Sequence, residues 1–262
     1  MEMKPLTRVV LGLVCLLVAI WLVAPTLVVV PMSFNGNKSL SFPPQGFSWQ
    51  WYENFVTNPE WSTSFLNSLK VASIVAVLAT VLGTLAAFGL DRMKARPANL
   101  LRMLMLTPMV VPGVVLAIGI YAVYLDAQLV GTLPGFVLAH TILALPFAII
   151  PIATALEGFD KSIEDAAIVC GASPLQARLR ITLPSIRIGI FSAAIFSFLA
   201  SWDEVVVAIF MASPTLQTLP VKIWGSLRAD LSPVVAAASS LLVGLTLCLM
   251  IVTALLRRRL SR

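Results

Sequence analysis

The chain has 262 residues, 59% of them hydrophobic and 11% charged, with a mean hydropathy of +0.95. Soluble domains carry about 25% charged residues, so this composition excludes a water-soluble globular fold and identifies an integral membrane protein. The net charge of +6 follows from membrane orientation, as the placement of Lys and Arg shows, and gives a nucleic-acid partner no support.

A helix needs about 20 consecutive apolar residues to cross a bilayer core. Six runs meet that length, near 9–30, 71–90, 101–124, 133–155, 186–211 and 234–256, which predicts an all-α membrane protein of six transmembrane helices. Run 133–155 is the weakest, because Pro134, Pro146 and Pro151 fall in it and each proline removes a helix hydrogen bond. Neighbouring helices in a bundle can satisfy the carbonyls so freed.

Six spans put both termini on one side. With them fall Lys4, Arg8, Arg92, Lys94, Arg96, Arg102, Lys161, Arg178, Arg180, Arg187, Arg257, Arg258, Arg259 and Arg262, fourteen in all. Lys38, Lys70, Lys222 and Arg228 complete the eighteen on the opposite side. Short cytoplasmic loops hold the excess of Lys and Arg, so both termini are expected in the cytoplasm. Run 9–30 is longer than the apolar core of a signal peptide and no small-x-small site follows it, which favours an uncleaved span. Cys15 and Cys248 lie in spans and Cys170 in a cytoplasmic loop, so no disulfide or metal site is expected. His140, the single histidine, is expected to be a packed, hydrogen-bonded side chain rather than a ligand.

Residues 33–63 form the one long segment on the outer face. Pro43, Pro44 and Gly46 forbid a helix, whereas Trp49, Trp51, Tyr52 and Phe55 can begin an amphipathic one. Aromatic rings at this density suit the membrane-water interface, with a ligand-binding cage as the alternative. The chain divides on this reading into 1–62, the first span with its aromatic periplasmic loop, and 63–262, a five-helix transmembrane domain.

Within the second part, loop 160–184 reads as two short capped helices. Ser162 stands three residues before Asp165 and ahead of Ile163, Ala166, Ala167 and Ile168, the form of a helix start. Gly171 suits the left-handed residue after a helix end. Ser173, Pro174 and Gln176 then offer a cap, a first-turn proline and the partner of a capping box. Arg178 and Arg180 follow, and Leu183-Pro184 is expected to break the helix before the fifth span. The small residues Ala166, Ala167, Gly171 and Ala172 would admit a partner's surface close to the backbone, with Glu164 and Asp165 beside it as acceptors. On spacing alone, a well-capped connection between two spans fits equally.

This segment resembles the EAA loop of binding-protein-dependent ABC importer permeases, whose pattern is EAA, three residues, G, nine residues, I-x-L-P. Here Asp165-Ala166-Ala167 stands in the EAA position, followed by Gly171, Ile181 and Leu183-Pro184 at the same spacings. Asp165 replaces the usual Glu, which shortens the acid by one methylene and leaves open whether Glu164 shares its role. The resemblance implies a type I ABC importer permease in a bacterial inner membrane, with the loop as the coupling helix received by an ATP-binding subunit. It implies as partners a homologous permease, two ATP-binding subunits carrying ATP and Mg, and a periplasmic solute-binding protein. Residues 42–52, Asn67-Ser68-Leu69, Ser201-Trp202-Asp203-Glu204 and Thr218-Leu219-Pro220 are similar to the second permease subunit of spermidine/putrescine importers. Related permeases serve ferric iron, phosphonates, thiosulfate and opines.

Asp203 and Glu204 are the most unusual residues inside a span. A charge at a bilayer centre costs at least about 2.5 kcal/mol and faces a cavity or a partner. If the fifth span is one helix, Glu204 shares a polar stripe with Ser197 and Ser201, whereas Asp203 lies about 100° away. Glu204 is therefore expected to face a cation pathway, with Asp203 at its edge or paired with the other permease. A purely structural ion pair is the alternative for either acid. Trp202 offers a cation-π face, or else packs against lipid or helix. A secondary transporter would also need buried polar groups, but it requires no such loop, and no repeat marks two inverted halves. No HExxH, G-x-S-x-G or Walker A pattern occurs, so an enzyme is not expected and any ATP hydrolysis belongs to another subunit.

Overall fold

The computed structural model describes residues 5–229 and 231–260, with side chains at 7–229 and 231–255. Lys4 and Arg262 of the basic set lie outside them. Among the described residues the regular elements are helices, with one isolated bridge between Ser213 and Leu216. In chain order they are α1 Pro5–Met32, α2 Gln50–Thr57, α3 Pro59–Arg92, α4 Ala95–Val110, α5 Gly113–Asp126, α6 Leu133–Glu157 and α7 Lys161–Val169. There follow α8 Pro174–Ala177, a π-helical turn at Arg178–Thr182, α9 Leu183–Ser185, α10 Arg187–Trp202, α11 Val206–Met211, α12 Leu219–Ala229 and α13 Val234–Leu260.

Four helices, α1, α3, α6 and α13, are each long and apolar enough to cross a membrane, and two bent pairs raise the number to six. The second span starts earlier than expected, at Pro59, because Asn58 accepts the Glu60 amide at 2.9 Å and Pro59 fits the first turn. The third is not one helix: α4 and α5 meet at 102°. Pro112 forces Val111 into extended backbone at φ −71 and ψ 132, as proline does to the residue before it. The fifth also departs from a single helix. Residues Pro174–Ser185 bend 70° into α10, which stops at Trp202 well short of the expected 211.

The proline-rich fourth span, by contrast, is continuous. Thr132 caps α6 by accepting the Gly135 amide at 3.2 Å, and Pro134 sits in the first turn, where no amide is needed. Pro146 and Pro151 lie deeper, on a helix whose residues Phe136, Ala139, His140, Ala144, Ala148 and Ile152 are fully buried. Its principal partner is α10, which turns Gly189, Ser192, Ala193, Ser197 and Ser201 inward at helical spacing. Small residues on both helices let the backbones approach, which is how helices associate without a hydrophobic drive between them.

Contacts group the chain into two compact units, Met1–Ser62 with Ile223–Gly244, and Thr63–Lys222 with Leu245–Arg262. The first unit includes a return segment: the second half of α1, from Pro25 to Val30, lies along Ser239, Ser240 and Val243 of α13. The first unit also holds the aromatic loop. Asn35 organises it, its amide donating to Ser39 O at 2.7 Å and Ser41 Oγ at 2.9 Å while its oxygen accepts the Gln45 amide at 3.0 Å. Trp51 donates from its indole to Asn35 O, and Phe34 stacks on Phe47 at 4.8 Å. The expected amphipathic helix forms as α2, burying Trp51 and Phe55.

Close packing of α6 on α10 is testable at Gly189. A Cβ there would lie 2.5 Å from Ala155 Cβ and 2.9 Å from Pro151 O. Overpacking costs about 1–3 kcal/mol, so Gly189→Ala should lower the thermal midpoint of the detergent-solubilised protein by several degrees. An unchanged melt would show that the two helices are not in contact at that level.

Candidate functional site

Two places gather polar groups: the loop from Asp160 to Pro184, and the interruption after α10. In the loop, the helix start is displaced from expectation. Asp160, not Ser162, is the cap, its carboxylate accepting the Ser162 amide at 3.0 Å. Hydrogen bonds from Ser162 hold the Asp160 carboxyl below the usual carboxylate range, so the cap stays ionised at neutral pH. The other end of α7 closes as the sequence predicts. Ala172 donates to Ala167 O at 3.0 Å and Gly171 to Ile168 O at 2.9 Å, with Gly171 at φ +97, a Schellman ending. Both halves of the second cap are present: Ser173 Oγ accepts the Gln176 amide at 3.3 Å, and Gln176 Oε1 accepts the Ser173 amide at 3.0 Å.

Leu183-Pro184 does not break the helix. Pro184 has no amide and its ring crowds the preceding turn, so the chain widens into the π turn at Arg178–Thr182, where Leu183 donates to Arg178 O. The break comes two residues later, at Ile186. Ile181 is half-buried, Leu183 likewise, and Pro184 exposed.

The two acids of the loop point differently. Glu164 is buried, its Oε1 bonded to Arg92 from the end of α3 and 3.7 Å from Arg178 Nε, its Oε2 accepting Thr182 Oγ1 at 2.7 Å. A second pair, Lys161 Nζ to Asp91 at 2.7 Å, ties the same two elements. Glu164 is therefore an internal brace and leaves Asp165 as the exposed acid of the pair. Ile163, Ala166, Val169 and Cys170 share a solvent-facing side of α7, with Val169 87% exposed. Arg92 and Thr182 were not legible as site residues, since only the fold brings Arg92 to a residue 72 positions away.

At the second place, only the two serines of the expected polar stripe share a face of α10, and both are packed inside the chain. Ser197 lies buried against Ala144 O at 3.5 Å, and Ser201 Oγ is 2.8 Å from His140 Nδ1. Trp202 is fully buried, stacked on Phe198 at 5.7 Å and edge-on to Phe65 at 5.7 Å. Because α10 ends at Trp202, Glu204 is not on its face at all. Glu204 instead accepts the Val207 amide at 2.9 Å and the Ala208 amide at 2.8 Å, capping α11. Asp203 terminates α10 and is exposed. His140 is fully buried, as expected of a packed residue.

The sequence profile of the binding-protein-dependent transport system inner membrane component family matches residues 79–262. The chain is 31% identical over 243 residues to the spermidine/putrescine transport system permease protein PotC of Haemophilus influenzae, covering 91% of this chain and 93% of that one. It is 31% identical over 231 residues to the putrescine transport system permease protein PotI of Escherichia coli, covering 86% and 82% respectively. Among solved structures, a chain of a bacterial ABC transporter that imports the acidic polysaccharide alginate superposes with a TM-score of 0.73 at 15% identity, covering 97% of this chain and 96% of that one. The alginate transporter bound to its pentasaccharide-loaded periplasmic protein gives a TM-score of 0.74 at 16% identity, covering 98% and 95%. At such identity these two establish a shared fold.

The brace can be tested against its neighbour. Removing Glu164 leaves Thr182 and Arg92 without their acceptor and Arg178 without its ion-pair partner, a loss of about 1–3 kcal/mol. Exposed Asp165 should contribute within about 0.5 kcal/mol. Glu164→Ala should therefore lower the thermal midpoint clearly and Asp165→Ala hardly at all, and equal melts would refute the buried brace.

Proposed function

The chain belongs to the binding-protein-dependent transport system inner membrane components, as a multi-pass ABC importer permease, and we propose that it carries polyamines such as spermidine and putrescine. Its partners on this reading are a homologous permease, a periplasmic solute-binding protein and two ATP-binding subunits that hold ATP and Mg. The observation that carries it is the loop at 160–184: capped at three ends, braced from inside by Glu164, and presenting Asp165 beside an uncovered apolar face. A rigid projection of that kind suits a groove on an ATP-binding subunit. Placing it in the cytoplasm, with both termini, follows from the fourteen-to-four distribution of basic residues.

The loop receives the stroke, and α10 leads from it to the interruption where Asp203 and Glu204 lie. A polyamine is a flexible multiple cation, so carboxylates beside a passage between two permeases would attract it. Asp203, exposed at the end of α10, has the freer carboxylate, whereas the oxygens of Glu204 are taken by the α11 amides. Ser197, Ser201 and Trp202 then act as the packed wall behind the acids. An exposed acid suits a cationic solute better than phosphonate or thiosulfate.

Two experiments separate the parts of this reading. In proteoliposomes holding the complete importer, Asp203→Asn should raise the KM for labelled spermidine about tenfold, since one charge-assisted contact is lost. Copurification of the ATP-binding subunit should be unaffected, and unchanged uptake kinetics would remove Asp203 from the pathway. Gly171→Val forces a β-branched residue into left-handed backbone and should abolish that copurification. Retention of the subunit by this variant would show that the loop is not the docking element.

A further inference from the structure

His140 is the point where three separate elements meet. It rises from α6 with its ring fully buried and Phe136 tilted against it at 5.6 Å. Its Nδ1 lies 2.8 Å from Ser201 Oγ in the last turn of α10. Its Nε2 points to Glu204 Oε2 across 3.8 Å and has no hydrogen-bond partner among the described residues. Glu204 belongs to the far side of the interruption, because its carboxylate caps α11 through Val207 and Ala208. One imidazole thus touches both sides of the break between α10 and α11.

The tautomer follows from the neighbours. If Nδ1 held the proton, Nε2 would turn a lone pair toward a carboxylate oxygen, and the pair would repel. If Ser201 donates to Nδ1, Nε2 carries the proton and faces Oε2 as a donor. A buried donor left unmade is rare in native structures and calls for a second arrangement or a missing partner. Here the partner is in view. A movement of about 1 Å would bring Nε2 and Oε2 into hydrogen-bond range, and Oε2, with two lone pairs, can accept it while keeping the Ala208 amide.

We propose that His140 is a positioning residue for transport. It holds Glu204, and through it α11, in register with the end of α10, and the bond from His140 Nε2 to Oε2 is made and lost as the break opens and closes, while Oε2 keeps the Ala208 amide. Asp203, between Ser201 and Glu204, is carried by that movement. This inference rests on the importer reading of the chain, and in its kinetic arm on polyamine as the solute.

The test uses the complete importer in proteoliposomes with His140→Gln and His140→Asn. A glutamine amide reaches the place of Nε2, and an asparagine amide only that of Nδ1. Labelled spermidine uptake by His140→Gln should stay within about threefold of wild type, whereas His140→Asn should lose about tenfold in kcat with KM little changed, the signature of a step after binding. In a Glu204→Gln background, His140→Asn should cause no further loss. Equal losses in the Gln and Asn variants, or additive losses with Glu204→Gln, would show a packing role only and overturn the proposal. Should the wild-type importer take up no spermidine, the polyamine reading fails separately. The same four proteins, wild type, His140→Asn, Glu204→Gln and the double variant, then decide by thermal melts: non-additive shifts support the link between the two residues, and additive shifts overturn it.

Discussion

A chain immersed in hydrocarbon must satisfy its own backbone, since each amide or carbonyl left open there costs several kcal/mol. That constraint decides where this protein is allowed to bend. At the α4–α5 junction, Pro112 has no amide to lose, and its carbonyl starts the next helix by accepting from Val115 at 2.9 Å and Leu116 at 3.1 Å. Before α10, the missing amide of Pro184 is absorbed by a π turn rather than by a gap. After α10, no proline is present, and the open amides of α11 are closed by the carboxylate of Glu204. The costly acid in the span is therefore the group that makes the interruption tolerable.

The same accounting explains why the loop at 160–184 can hold a fixed shape. Short helices are marginal alone, and α7 and α8 have nine and four residues. What fixes them is termination at each end and an anchor in the middle: Asp160, the Gly171 ending, the Ser173 and Gln176 box, and Glu164 held by Arg92 and Thr182. Burying Glu164 costs desolvation, which the two arginines and a hydroxyl offset. Because Arg92 closes α3 and Thr182 lies in the π turn before α10, one carboxylate joins the loop to two different spans.

Much of this was legible in residue order. Gly171, Ser173, Pro174 and Gln176 act through neighbours within five positions, so their spacing alone predicted their geometry. The cap at Asp160 was missed because Ser162 also satisfies the template, and the carboxylate two residues earlier starts the helix sooner by taking the Ser162 amide itself. Long-range partners were out of reach. Nothing in the sequence distinguishes Glu164 from Asp165 until Arg92 arrives from another span. Ser197 and Ser201 illustrate a different limit: a row of small polar residues at helical spacing reads equally as a wet stripe or as a packing seam, and here it packs on α6. The end of α10 had a local signal, in Glu204 followed three residues later by Val207 within a β-branched run, the outline of a side chain closing a new helix start.

Between the loop and the acids lies α10, sixteen residues long and so about 24 Å from end to end. It is seated on α6 by glycine, alanine and serine at close approach, with Gly189 against Pro151 and Ala155 near one end and Ser201 against His140 at the other. Interiors packed this tightly are bistable rather than continuously deformable, so on the proposed coupling role a push on the loop would not dissipate along the helix pair. It would have to emerge where the backbone is already interrupted. Those places are Ile186, where the chain turns by 70°, and the Asp203–Val205 segment. The second carries an exposed carboxylate, so the loop and that charge stand at opposite ends of one closely packed helix pair.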